Sequence, residues 1–346
     1  MIVNELTQIK ERWDTLLNDN PTLRIRNAAA ELGVGEGLLL ATRLGDGVVR
    51  LTETFDDIIK ALNACEDVMA LTRNDGVVSE CHGKYQNISF QGHVGLVLDT
   101  GIDLRIFSNK WAYGFGVEES GQGDAIRYSL QFFDAFGNAV HKVYMTANSN
   151  MDAFHALVEK FTNPLQDVPA FEQSAGEPQR PALGDDQIDV AGFQEGWLAL
   201  KDTHDFYHLL GRHRVTRTQA LRLAPEGMAA QLQGQTVRKV LDAAASKKLA
   251  IMVFVGNPGC IQIFTGEVNK LAEHGPWYNV LDERFNLHVN ETLITQSWLV
   301  RKPTADGIVT SVECYDNKGE LLVQFFGKRK PGVPELEEWR TLCKAL

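Results

Sequence analysis

The feature that most constrains this chain is a repeat of itself. Asn74 and Gly76, followed by Gly83, recur 183 positions later as Asn257 and Gly259, followed by Gly266. At the same offset Asp103-Leu104-Arg105 recurs as Asn286-Leu287-His288, and Asp134 with Gly137 recurs as Asp316 with Gly319 one residue out of step. Trp13 and Trp197 open the two halves at a similar spacing. Self-similarity at a fixed period marks a structural unit laid down more than once. Each half must therefore hold the same elements in the same order.

Periodicity supplies those elements. Residues 4–17 read as a helix, Ile25 to Ala41 as a helical segment broken by Gly33, Gly35 and Gly37, and Thr54 to Cys65 as a helix with Phe55, Ile58, Ile59 and Leu62 at helical spacing. From Val68 to Tyr144 the pattern changes to short runs such as VGLVLD, IDLRIF and RYSLQFF between turn signals, which predicts an antiparallel sheet. Met151 to Phe161 returns to helix. Residues 163–190 carry Pro164, Pro169, Pro178 and Pro181 among polar residues and predict an exposed linker. The first pattern then repeats: helices near Val190 to Asp202, His204 to Arg212, Thr218 to Leu223 and Val237 to Ser246, strands from Ala250 to Phe326, and a helix from Pro334 to Leu346. The expected fold is α+β, a tandem duplication in which each half is an antiparallel β-sheet with flanking helices. Its expected domains are an N-terminal repeat at 1–162, a linker at 163–190 and a C-terminal repeat at 191–346.

Composition narrows the function. A net charge of -11 argues against nonspecific binding to nucleic acid or to an anionic membrane, so an anionic ligand would need a local basic patch. The N-terminus lacks the pattern of a signal peptide, and no stretch approaches a membrane span, so a cytoplasmic protein without membrane insertion is expected. Cys65, Cys81, Cys260, Cys314 and Cys343 are odd in number and scattered, as expected of reduced thiols.

The chemistry concentrates in KDTHDFYHLLGRHRVTRTQ, residues 201–219, which holds three of the nine histidines. Thr203 is the expected N-cap of a helix from His204, whose place in the first turn disfavours an imidazolium and keeps a lone pair for a metal. His204, His208 and Arg212 share one face, whereas Phe206, Leu209, Leu210 and His213 lie on one that can pack inward. Three readings stand side by side: a solvated surface helix, a zinc site on the His204 and His208 pair, or an axial histidine for haem with arginines for its propionates. The zinc-hydrolase reading lacks a Glu after the first histidine and any third ligand identifiable by spacing. On the first half's strand, Asp103, Arg105 and Phe107 alternate onto one face; a solvated strand face is the plain alternative to a site.

The strings GHVGLVLD, DLRIFSNKWA, LQFFDAFGNAVHKVY, THDFYHLLGRH, IMVFVGNPGCIQIFTG, LVRKPTADG and VQFFGKR resemble, in order and from about Trp13 to Leu342, the cytoplasmic haemin-degrading or haem-trafficking factors of bacterial haem-uptake systems. The resemblance implies a haem-binding protein that receives imported haem and transfers or degrades it to release iron, with a pure haem carrier as the alternative. It implies His204 as the iron ligand and Arg105, the candidate catalytic residue, on the other face of the haem (iron protoporphyrin IX). Propionate-binding Arg217, Lys302 and Arg329 and pocket residues Phe107, Phe254 and Gln324 are implied with it. Surface charge is the plain alternative for Arg217 and Lys302, and core packing for Phe254. The implied partners are haem, a haem importer or downstream acceptor, and a reductant that sequence does not identify. Phe326 stands where family members often have Tyr, and Ser79 where some carry a histidine. His208 and His213 are further candidates for transient ligation.

Overall fold

The computed structural model describes residues 3–120, 125–172, 182–330 and 332–346. The chain forms two compact units, the first made of Met1–Arg73, Glu80–Ala175 and Gly256–Gln262, the second of Asn74–Ser79, Gly176–Val255 and Ile263–Leu346. Its strands belong to two nine-stranded antiparallel sheets.

The first half runs α1 (Val3–Asp19), α2 (Ile25–Leu32), α3 (Glu36–Ala41), β1 (Val48–Arg50), α4 (Phe55–Ala61), β2 (Glu66–Arg73), β3 (Val77–Gly83), β4 (Ser89–Gln91), β5 (Val94–Leu98), β6 (Asp103–Phe107), β7 (Tyr113–Ser120), β8 (Ile126–Phe133), β9 (Ala139–Ser149) and α5 (Met151–Phe161). The second half repeats the order with α6 (Val190–Leu198), α7 (Asp205–His213), α8 (Arg217–Arg222), β10 (Ala229–Leu232), α9 (Thr236–Lys247), β11 (Ile251–Asn257), β12 (Cys260–Gly266), β13 (Leu271–His274), β14 (Trp277–Leu281), β15 (Phe285–Asn290), β16 (Gln296–Thr304), β17 (Gly307–Tyr315), β18 (Leu321–Gly327) and α10 (Glu337–Lys344). Strands run β1-β7-β8-β9-β2 in the first unit and β10-β16-β17-β18-β11 in the second, the same order twice.

The repeated residues do the same work in both halves. Asn74 Oδ1 accepts from the amides of Gly76 and Val77, turning β2 into β3. Asn257 Oδ1 accepts from Gly259 and Cys260 and turns β11 into β12. Asp134 Oδ1 accepts from Phe136 and Asn138, and Asp316 Oδ1 from Lys318 and Glu320. Gly137 and Gly319 close those turns at φ 82° and 81°, left-handed values that a Cβ would penalise.

Three expectations change. His204, not Thr203, is the residue preceding α7, with helical dihedrals and no side-chain capping bond, so the helix begins at Asp205. The reason lies upstream, where Asp202 Oδ1 takes the His204 amide before a hydroxyl could cap the turn. Second, the start of the proposed linker is packed rather than exposed throughout: Tyr113 donates its hydroxyl to the Ala170 carbonyl, and its ring lies 4.8 Å from that of Phe171. Pro178 and Pro181 lie outside the described residues. Third, the segment Thr54 to Cys65 is α4 followed by a separate 3-10 turn over Leu62–Cys65.

In the second unit one apolar cluster fixes the helices that matter for the site. Phe193 and Trp197 of α6, Phe206 and Leu209 of α7, and Ala220 and Leu221 of α8 bury together against Trp298, Val300 and Tyr315. Phe206 and Leu209 face inward as their spacing predicts, which leaves His204 and His208 exposed.

Candidate functional site

Most of the sequence-predicted site residues fall in the second unit. His204 is open to solvent, with 89% of its side chain exposed, and its Nδ1 lies 2.5 Å from Asp202 Oδ1. Beside a carboxylate that nitrogen is the donor, so Nε2 keeps the lone pair that an iron or other metal would take. Asp202 in turn is held below its ordinary range, first by the His204 amide. His208 is exposed as well, whereas His213 is half-buried with its ring 5.6 Å from that of Phe193.

Arg217 is the first residue of α8, and a capping box fixes where that helix starts. Thr216 Oγ1 accepts from the Gln219 amide, and Gln219 Oε1 accepts from the Thr216 amide. The guanidinium reaches Glu313 on β17, its Nε 3.5 Å from Oε2. Lys302 on β16 meets the same carboxylate from the other side, Nζ 2.7 Å from Oε1, and Ser311 donates to that oxygen at 2.9 Å. Tyr315 donates its hydroxyl to Oε2. Lys302 is only 3% exposed and Glu313 not at all, so Lys302 is no ordinary surface charge.

Burial penalises the charged form of each group. Burial alone would raise the Glu313 carboxyl, but Lys302 and then Arg217 hold it well below the carboxylate range. Lys302 is pushed below an ordinary lysine, by burial first and by Arg217, with Glu313 opposing both. Arg217 is half-buried; burial would lower it, and Glu313 more than offsets this and raises it. Two cations thus share one carboxylate, and the Arg217 Nε, buried, makes no hydrogen bond. The Arg217 side chain is 34% exposed and the trio carries one positive charge in excess, so the residues fit a carboxylate-bearing ligand.

One face of the sheet continues from this trio. Glu313 stands opposite Gln324, and Gln324 opposite Phe254. The Phe254 and Phe326 rings meet edge to face at 5.0 Å. Met252, Phe254, Gln324 and Phe326 are half-buried, whereas Ile251, Val253, Val323 and Phe325 on the opposite face are fully buried. The half-buried face offers flat apolar surface beside the charges. Arg329, just past β18, pairs with Asp306 at 3.6 Å.

Arg105 and Phe107 stand in the first unit on β6, whose alternating burial puts both on its more open face. Arg105 pairs with Asp103 and also donates to the Leu104 carbonyl. The Phe107 amide donates to the Gly259 carbonyl at 3.0 Å. A cleft of about 640 Å³ in this unit, lined in part by Glu53, Asp56, Asp57, Lys60 and His93, contains none of the predicted residues. Its acidic side chains would repel a dianion. Among the described residues no group of three or more His, Cys, Asp or Glu could hold a metal ion, which removes the ligand set a zinc hydrolase would need.

Sequence reasoning missed Asp202, Glu313 and Tyr315. A carboxylate two residues before His204 was one signal, and a Glu inside the apolar strand VTSVECY was the other.

A haemin-degrading HemS.ChuX domain matches residues 33–161 and again 214–346. The chain belongs to this family. The same domain is matched twice, once in each half of the chain. Within the family's range, the hemin transport protein HemS of Yersinia enterocolitica is 39% identical over 335 residues, covering 96% of this chain and 95% of that one. Among solved structures, holo-PhuS, a heme-binding protein from Pseudomonas aeruginosa, superposes with a TM-score of 0.95 at 44% identity and 99% coverage of both chains. ChuS, an E. coli heme oxygenase, superposes with a TM-score of 0.88 at 33% identity, covering 98% of this chain and 99% of that one.

Proposed function

We propose that this chain is a cytoplasmic haem-binding protein that receives imported haem and passes it on or degrades it to release iron. The observation that carries the reading is the trio of half-buried Arg217 with buried Lys302 and Glu313, which has one positive charge in excess, on the unit that presents an exposed histidine braced by a carboxylate. A haem propionate would supply the missing anion, and His204, through Nε2, would hold the iron. Phe254 and Phe326 would cover apolar porphyrin surface, and Gln324 would offer an amide beside it. Relatives described as a hemin transport protein, a heme-binding protein and a heme oxygenase support the same ligand. Among the described residues no helix is long and apolar enough to cross a membrane.

When bound, haem supplies the redox-active iron on which oxygen-dependent ring opening depends. The chain's own part is to hold His204 in one tautomer through Asp202, to clamp carboxylates with Arg217, Lys302 and Arg329, and to offer Arg105 as a hydrogen-bond donor. The test is spectroscopic. His204→Ala should shift the Soret band and weaken haem binding, whereas His208→Ala should leave the spectrum close to that of the parent. The double variant guards against His208 substituting for its neighbour. A Soret band untouched in the double variant removes His204 from the iron.

A further inference from the structure

The trio in the second unit has a counterpart in the first, and the two differ in charge. Gln131 on β8 stands opposite Lys142 on β9, just as Glu313 on β17 stands opposite Gln324 on β18. The first residue of α3 is Glu36, and the first of α8 is Arg217. In the first unit Glu36 and Lys142 form a buried pair, each side chain 7% exposed, beside a neutral glutamine. Arg73 and Arg26 add only weaker fields there. In the second unit the helix residue is the cation, the carboxylate sits one strand over, and Lys302 adds a second cation.

We infer that Glu313 is the resident counter-ion of the propionate clamp: it keeps Lys302 charged and aligned beside Arg217 before ligand arrives, and leaves the trio with one positive charge in excess for one ligand carboxylate. This rests on the haem reading above. Glu313 is a positioning residue, because it acts through the two cations. The charged and titratable groups that face Lys302 are Glu313 and Tyr315 from β17 and Arg217 from α8. The Phe206 ring of α7 lies 4.6 Å from the ammonium, and β10, which pairs with β16, has no ionisable side chain. Without Glu313 the ammonium would be buried, next to a guanidinium, with no anion. Burial and like charge both disfavour its charged form, so it would lose its proton at a lower pH than in the parent. A ligand carboxylate would then have to restore that proton.

The sign follows from linkage. If binding takes up one proton, affinity falls about tenfold per pH unit once the pH exceeds the value at which the free protein loses that proton. The probe is iron-free protoporphyrin IX, which leaves iron ligation out, titrated by quenching of tryptophan fluorescence between pH 6.5 and 9.5. Proton uptake is measured by calorimetry in two buffers of different ionisation enthalpy. The parent should show a nearly flat affinity over the lower part of that range and little uptake. Glu313→Gln should show the one-proton slope and close to one proton taken up. Adding Lys302→Met to Glu313→Gln should abolish both. A Glu313→Gln profile parallel to the parent's overturns the inference. If that variant does not fold, Glu313→Asp, whose carboxylate is withdrawn by one methylene, should begin its slope at lower pH than the parent; a superimposable profile is equally fatal. The dimethyl ester separates the two levels. A parent that binds diacid and ester alike refutes the clamp itself, whereas a parent that discriminates, with unchanged Glu313→Gln behaviour, refutes only the role of Glu313.

Discussion

At the scale of single residues, the site depends on where charges are buried. An exposed lysine near a ligand would add a weak, screened attraction. Lys302 is buried and Arg217 half-buried, so a carboxylate meeting them would be partly shielded from water. A charge-assisted hydrogen bond contributes roughly 1.5 to 3 kcal/mol. Arg217→Ala and Lys302→Ala should therefore each weaken haem affinity by about tenfold or more, without changing the ligand-field bands of the iron. Equal losses for haem and for its dimethyl ester would show that the cations act on something other than the propionates.

At the scale of elements, the tip of the duplicated hairpin leaves little room for a larger side chain. The tip of β11 and β12 belongs to the first unit, where the Gly259 carbonyl accepts from the Trp111 indole and from the Phe107 amide. A Cβ at Gly259 would lie 2.5 Å from Val140 Cγ1 and 3.1 Å from Trp111 Nε1. Overpacking of this kind costs roughly 1 to 3 kcal/mol. Urea unfolding of Gly259→Ala should show a loss of that size. Gly211, inside α7, is the contrast, because a Cβ there meets nothing within 4 Å. Gly211→Ala should leave stability unchanged or raise it by roughly 0.5 to 1 kcal/mol through helix propensity alone. If both variants behave alike, the packing account of the hairpin is wrong.

At the scale of the whole molecule, the open choice is between carrying haem and opening its ring. Ring opening needs a donor able to stabilise bound oxygen, and Arg105 is the candidate the sequence supplies. Haem-loaded protein given a reductant and oxygen, with catalase present, should lose its Soret band and release chelatable iron. Arg105→Ala should slow this far more than it weakens binding. Bleaching that stops when catalase is added, or that runs at the parental rate in Arg105→Ala, leaves the carrier function alone standing.

The sequence by itself determined the duplication, and with it the order of the elements. Asn74, Asn257, Asp134 and Asp316 act on amides two to four residues away, and such local bonds repeat wherever the local sequence repeats. It also determined the buried face of α7, because helical spacing selects which side chains point inward. The family resemblance, not periodicity, put Arg217 and Lys302 in the site. Only the tertiary structure decided that they meet on Glu313, since α8 lies far along the chain from the β16–β17 hairpin that carries Lys302 and Glu313 and packs with it in the cluster around Trp197 and Phe206. Only the tertiary structure, too, decided that the matching place in the first unit is a closed pair of Glu36 and Lys142. Charge partners separated by about a hundred residues leave no periodic trace, because the attraction depends on distance in space and not along the chain.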